Sequence, residues 1–205
     1  MYTLYSIAAS CSTGITVLME RLNLQYQIKR RIDESNYTDI VPTGKVPALV
    51  SDSGQVVVEG GAIVQYLLEK HENNMLPKTL EKRAEFYQWL HFCYATVHPA
   101  YSKLFFAQFK VEVSDEIRIK LLQTAAEPVS KLWEIINQRY ESSKFIMGDK
   151  ASHMDYMIAI YASWNLKFKE VKIELGKNTL RAIKEVMNLP EFKKAFEKEG
   201  AQYKF

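Results

Sequence analysis

The chain has 205 residues, of which 47% are hydrophobic and 25% charged, enough apolar material to bury a core without disulfide or metal staples. Its 27 basic and 24 acidic side chains are dispersed and leave a formal charge of +3, so no basic tract points to nucleic acid or an anionic membrane surface. With neither a run of about eighteen apolar residues nor a secretory leader pattern, the expectation is a soluble, cytoplasmic protein.

Residues 2–7, YTLYSI, read as a strand, and 14–24, GITVLMERLNL, carry apolar Ile15, Val17, Leu18, Leu22 and Leu24 at helical spacing. Residues 25–32, QYQIKRRI, alternate like a second strand. After a short irregular stretch come VPALV, a SDSGQ turn and VVV, which predict a hairpin, followed by a helix over 59–71. The result is an α+β protein whose first part has the thioredoxin-like order β-α-β-α-β-β-α. Polar, Pro-containing HENNMLPKT then breaks the pattern, so we assign 1–71 to this domain, 72–80 to a linker and 81–205 to an all-helical domain.

In the helical part, Pro99 interrupts a long helical pattern and predicts a kink over 95–99. Ser114 is a candidate N-cap for the next helix, and Ser152 with Asp155 forms the S-x-x-D pattern of a capping box. Two final helices are expected over 178–187 and 190–199, with Pro190 in a first turn.

Cys11 follows a strand and opens a helix, where unpaired N–H groups and the helix dipole favour an anion. The thiolate it suits is either its own or a ligand's. Ser10, Ser12 and Thr13 are hydrogen-bond donors to such a thiolate or, more plainly, helix caps. Cys11 and Cys93 are the only cysteines and have no CxxC spacing, which argues against a disulfide framework or a zinc site.

Val46–Pro47 stands at the head of the third strand, where a thioredoxin-like sheet presents an open backbone edge beside a cis bond. Glu59, Gly60 and Gly61 put a carboxylate beside bare N–H groups at a helix start, suited to a zwitterion or, without a ligand, to the dipole alone. On the long helix, His91, Tyr94, His98, Tyr101 and Phe105 step by three or four and form one face. Such a stripe is usually packing, but two histidines and two tyrosines make it polar for a core, so a face lining a cleft is the expectation.

The ordered set LYSIAASCS, GKVPALV, VEGGAIVQYL, WLHFCYATVHPAYSKLF and FIMGDKASHMDYMIAI resembles the cytosolic glutathione transferases, most nearly the bacterial beta class, over essentially the whole chain. The resemblance implies glutathione as co-substrate and no metal. Cys11 would lie beside the glutathione sulfur, able to form a mixed disulfide with it, with Ser10 as the alternative donor and Ser12 close by. Val46, beside cis-Pro47, would pair its backbone with the cysteinyl part, while Glu59 and Gly60 would hold the γ-glutamyl end. His98 would bond within the active site, and His91 would face glutathione. Tyr94, Tyr101 and Phe105 would line the pocket of a small hydrophobic electrophile.

Two departures stand out. The stretch between Tyr26 and Pro42 is short, so a family lysine there has no clear counterpart except Lys29 or Arg31. His91, Thr96 and Pro99 replace the family's asparagine, glutamate and lysine. The implied activity is a homodimeric glutathione transferase acting on electrophiles or disulfides, with weak conjugation and thiol transfer through Cys11. The alternative is a non-catalytic binding or regulatory protein of the same fold.

Overall fold

The computed structural model describes residues 1–205. Strand β1 (Tyr2–Ser6), helix α1 (Cys11–Arg21) and strand β2 (Tyr26–Arg30) form the expected β-α-β unit, with β1 and β2 parallel. Helix α1 is buried from Cys11 to Met19 and ends before Asn23, whose φ of 53° makes the left-handed turn common after a helix. A 3-10 turn and the four-residue helix α2 (Tyr37–Ile40) lead to β3 (Ala48–Val50), β4 (Val56–Val58) and helix α3 (Gly60–Lys70). The sheet order is β2-β1-β3-β4, with β3 antiparallel to both neighbours. Tyr5, Tyr37, Val41 and Ala48 form a buried cluster between the sheet and the α2 segment.

The helical part consists of α4 (Leu80–His91), α5 (His98–Phe109), α6 (Asp115–Ser142), α7 (His153–Trp164), α8 (Lys177–Met187) and α9 (Pro190–Lys198). Where Pro99 predicts a kink over 95–99, the structure shows a change of helix type just ahead of it. Residues Phe92–Val97 widen into a π-helical turn, and the His98 N–H reaches back five residues to the Cys93 carbonyl, which also accepts from the Tyr161 hydroxyl at 3.1 Å. Ser114 and Ser152 are the N-caps of α6 and α7, and the Ser152–Asp155 capping box is formed.

The compact units do not divide at the expected linker. One comprises Met1–Phe86 together with Met187–Lys204; the other comprises Tyr87–Val186 and Phe205. The last helix thus belongs with the sheet, because α9 packs on α1. Phe192 and Phe196 are buried and meet Tyr203 edge-on, while Arg21 pairs with Glu191 and Lys198 with Glu20. No helix is long and apolar enough to cross a membrane.

Candidate functional site

In the first unit the turn from β1 into α1 sets the site. Ala9 has a φ of 58°, a left-handed conformation unusual for a residue with a Cβ, and Ser10 returns to extended backbone as the N-cap. The Ser10 side chain accepts the Ser12 N–H at 3.2 Å, which leaves Cys11 as the first residue of the helix.

The Cys11 thiol is 92% withdrawn from solvent by its fractional exposure of 8%, and it donates to the Val46 carbonyl with its sulfur 3.7 Å away. Burial pushes it up to about 11, against the pull of the N–H groups of Cys11 and Ser12 and the nearby Ser10 side chain, and the Glu59 carboxylate adds to the push. The helix start therefore does not make Cys11 a thiolate of its own near neutral pH. Desolvation outweighs the dipole, which sequence position alone does not reveal.

Val46–Pro47 is cis, as expected. The ladders of β3 begin at Ala48, paired with Tyr5 and Val58, so the Val46 backbone lies beyond them. Arg31 braces the loop ahead of it, with Nε 3.2 Å from the Gly44 carbonyl and the guanidinium over the Tyr37 ring, while Tyr37 donates to the Lys45 carbonyl at 2.6 Å. Lys29 pairs with Glu34 at 3.0 Å. Both basic residues proposed as stand-ins for the family lysine have structural partners.

Glu59 caps α3 with φ 66° and ψ 116°, the third positive-φ non-glycine residue of this unit after Ala9 and Asn23, and its exposed carboxylate makes no capping bond to the helix. Strain of this kind costs about 1–3 kcal/mol and persists where surrounding structure imposes it. Gly60 is buried at the first turn. Cys11, Val46, Glu59 and Gly60 thus belong to one neighbourhood of one unit. The Cys11–Val46 contact and the Glu59 field on the thiol are the observations that tie it together.

Ser12 is different. Its side chain is fully buried, with Oγ 3.1 Å from both the N–H and the carbonyl of Ile7, 2.8 Å from Ser6 Oγ and 2.7 Å from Ser10 Oγ. It points into the protein, so the expectation that its side chain serves a ligand is corrected to an internal role. Sequence reasoning missed Glu199 altogether. From the turn after α9, its carboxylate accepts from Ser6, Thr16 and Thr13 hydroxyls at 2.9, 2.6 and 2.6 Å and from the Ala9 N–H at 3.4 Å.

In the second unit the aromatic face is chiefly packing against α7. Tyr101 is fully buried; its hydroxyl donates to Asn165 at 2.6 Å and accepts from the Trp133 indole at 2.8 Å. That removes Tyr101 from any open pocket, because both its ring and its hydroxyl are committed. The Tyr94 hydroxyl bonds His153 Nε2 at 2.8 Å, and Phe105 meets Trp164 and Phe168 with Lys167 over its ring. His98 is half-buried against Tyr161 and Trp164. His91 leaves the stripe. It lines an exposed groove of about 440 Å³ with Trp89, Phe92 and Ile135, because the π-turn changes the angular step assumed in counting threes and fours.

Residues 1–69 match the family model for the glutathione S-transferase N-terminal domain. Glutathione S-transferase GstA of Escherichia coli O157:H7 is 24% identical over 176 residues, 84% of this chain and 83% of that one. A beta-class glutathione S-transferase of Sphingomonas chungbukensis superposes with a TM-score of 0.83 at 20% identity, over 98% of this chain and 100% of the other. A sphingomonad glutathione S-transferase complexed with glutathione gives 0.81 at 19% identity, over 98% and 100%.

Proposed function

We propose that this chain belongs to the cytosolic glutathione transferase superfamily, binds glutathione in its first unit and directs the glutathione thiolate at an electrophile. The observation that carries the reading is the Cys11–Val46 contact, which joins a helix start to an open backbone edge beside a cis proline. Val46 would pair with the cysteinyl part of an extended peptide. The α3 start would hold a carboxylate on its N–H groups, and Glu59 would take the ammonium of the γ-glutamyl end. The residues present fit that ligand, because the Glu59 carboxylate is exposed and makes no capping bond to its helix.

Cys11 acts here as a protonated thiol. It is a weak hydrogen-bond donor, aimed at the Val46 carbonyl when alone and able to turn to a bound sulfur. Electrophile conjugation then runs through the second thiol: a carbon–sulfur bond forms as the electrophile's leaving group departs with its electron pair, or as its double bond takes up the pair. Thiol exchange initiated by Cys11 is less well supported, since the attacking species would be a thiolate that burial disfavours. His98, a cytoplasmic setting and a homodimer belong to the same reading and rest on family resemblance.

Calorimetric titration of the whole chain with glutathione tests this directly. Saturable binding that weakens at least tenfold in Glu59→Ala is expected, equivalent to about 1.4 kcal/mol. Absence of binding at millimolar glutathione would overturn it and leave the non-catalytic alternative.

A further inference from the structure

Helix α6 carries a proline, Pro128, near the middle of its 28 residues. A proline inside a helix removes the N–H that would bond the carbonyl four residues back, here that of Thr124, and its ring crowds that carbonyl. Pro128 is exposed, so no burial in the core offsets the cost. A residue that breaks a local rule with no packing gain directs attention to the surface it builds.

That surface is a groove of about 500 Å³ between α5 and α6. Ala107, buried, and Ala125, half-buried, line it with methyl groups. Phe106, 61% exposed, and Leu121, 40% exposed, leave apolar surface open to solvent along it. A concave, mainly apolar site with a small number of polar groups, within about 300–1,000 Å³, is the usual form of a small-molecule site.

The polar groups select the chemistry of the occupant. The Ser102 hydroxyl is committed to the His98 carbonyl at 3.1 Å, and the Thr124 hydroxyl to the Lys120 carbonyl at 2.9 Å. Two lysines of α6 are neutralised where they stand, Lys120 by Glu116 at 2.6 Å and Lys131 by Glu127 at 2.8 Å. Lys103 differs from both. It lines the groove, is exposed and forms no ion pair, so the groove carries an uncompensated positive charge.

Helix geometry gives the length and the polarity of the groove. Leu121 and Pro128 are seven residues apart on α6, a rise of about 11 Å. The short link 110–114 makes α5 and α6 antiparallel neighbours. Ser102 and Lys103 of α5 therefore share the Pro128 end, and Val111 shares the Leu121 end. One end is cationic and the remainder apolar.

We propose that this groove is a ligand site for a medium-chain carboxylate, with the carboxylate on Lys103 and the alkyl chain running past Ala107 and Ala125 toward Leu121 and Val111. The site lies wholly within the second unit and does not rest on the glutathione reading. The trough is about two helical turns long, which suits a single alkyl chain.

Calorimetric titration of the full-length protein with hexanoate, octanoate, decanoate and dodecanoate, in the absence of glutathione, tests the proposal. Saturable binding is expected to strengthen about two- to fourfold per added methylene while the chain still finds groove wall. The gain should level off between decanoate and dodecanoate, where the chain outruns the trough. Lys103→Glu changes an exposed side chain and should weaken decanoate about fivefold while strengthening decylamine. Ala125→Trp fills the trough and should abolish decanoate binding. Should that variant not fold, Phe106→Ala at its exposed position should weaken decanoate instead. No saturable binding at millimolar decanoate, affinity independent of chain length, or equal decanoate affinity in Lys103→Glu would each overturn the proposal. So would a dimer in sedimentation that Ala125→Trp dissociates, since the groove would then hold a second copy of the chain.

Discussion

Each compact unit holds a carboxylate within a set of hydroxyls and N–H groups and buries one thiol, and the two pairs are built differently. In the second unit Asp155 is fully buried and accepts from the N–H groups of Ile146 and Ser152, the Ser152 hydroxyl and the Tyr140 hydroxyl, at 2.6–2.9 Å. It acts directly on its thiol neighbour, since burial first and the Asp155 charge second push Cys93 far above the usual thiol range. In the first unit Glu199 takes the Ser6, Thr13 and Thr16 hydroxyls and the Ala9 N–H, and the carboxylate whose charge raises Cys11 is instead Glu59. The first arrangement fixes a helix and silences a thiol with one carboxylate; the second divides the two tasks between Glu199, which holds the turn, and Glu59, whose charge acts on the thiol.

The largest test of this contrast is Asp155→Ala. It strands two N–H groups and two hydroxyls in the interior, and a loss of about 4 kcal/mol is expected. At about 2–4 °C per kcal/mol for a chain of this size, melting should fall by order of 10 °C. Glu199→Ala should cost less, about 2 kcal/mol, because its surroundings are partly open and water can satisfy the released hydroxyls. Equal losses, measured by denaturant unfolding, would break the distinction between a structural and a positional carboxylate.

That distinction also marks what sequence reasoning could reach. The Ser152–Asp155 box spans three residues, and its pattern is visible in a single helical turn. Glu199 stands 183 residues from Thr16 and 193 from Ser6, and no local periodicity links a C-terminal glutamate to a turn near the N-terminus. The β-α-β unit, cis-Pro47 and α3 were legible because each is a local pattern. His91 was misplaced because a π-turn alters the step per residue, and Tyr101 because a polar stripe can satisfy itself internally through Asn165 and Trp133. The pairing of α9 with α1 is a tertiary choice, and the boundary expected over 72–80 carried no trace of it.

Acid sharpens the comparison further, through His153. Its ring is fully buried, Nε2 is bonded to Tyr94 and Nδ1 has no partner, and burial holds it down to about 3. The unfolded chain therefore takes up a proton that the folded chain refuses. Stability from this group is present above its unfolded value near 6.5 and is lost as pH falls from there toward 3. The slope is about 1.4 kcal/mol per pH unit, or roughly 2 kcal/mol between pH 6.5 and 5. Asp155 and Glu199, both raised by burial, have the opposite sign, favouring the folded state at low pH and losing that contribution as pH rises through their folded values. Unfolding curves of His153→Gln against the native protein isolate the histidine slope, and a parallel pair of pH profiles would remove it.

The smallest effect concerns the thiols themselves. Cys93 has no exposed surface and a carboxylate nearby, whereas Cys11 keeps 8% exposure and is pushed up by burial only to about 11. Native protein treated with iodoacetamide at rising pH should lose Cys11 first, and should modify Cys93 only at the rate of unfolding of its unit. Asp155→Ala should raise the Cys93 rate through that unfolding, because Cys93 becomes reachable as its unit opens. The Cys11 rate should respond instead to Glu59→Gln, which removes a charge that adds to the push on the thiol from an exposed position. If both thiols followed global stability in both variants, the two would differ only in address.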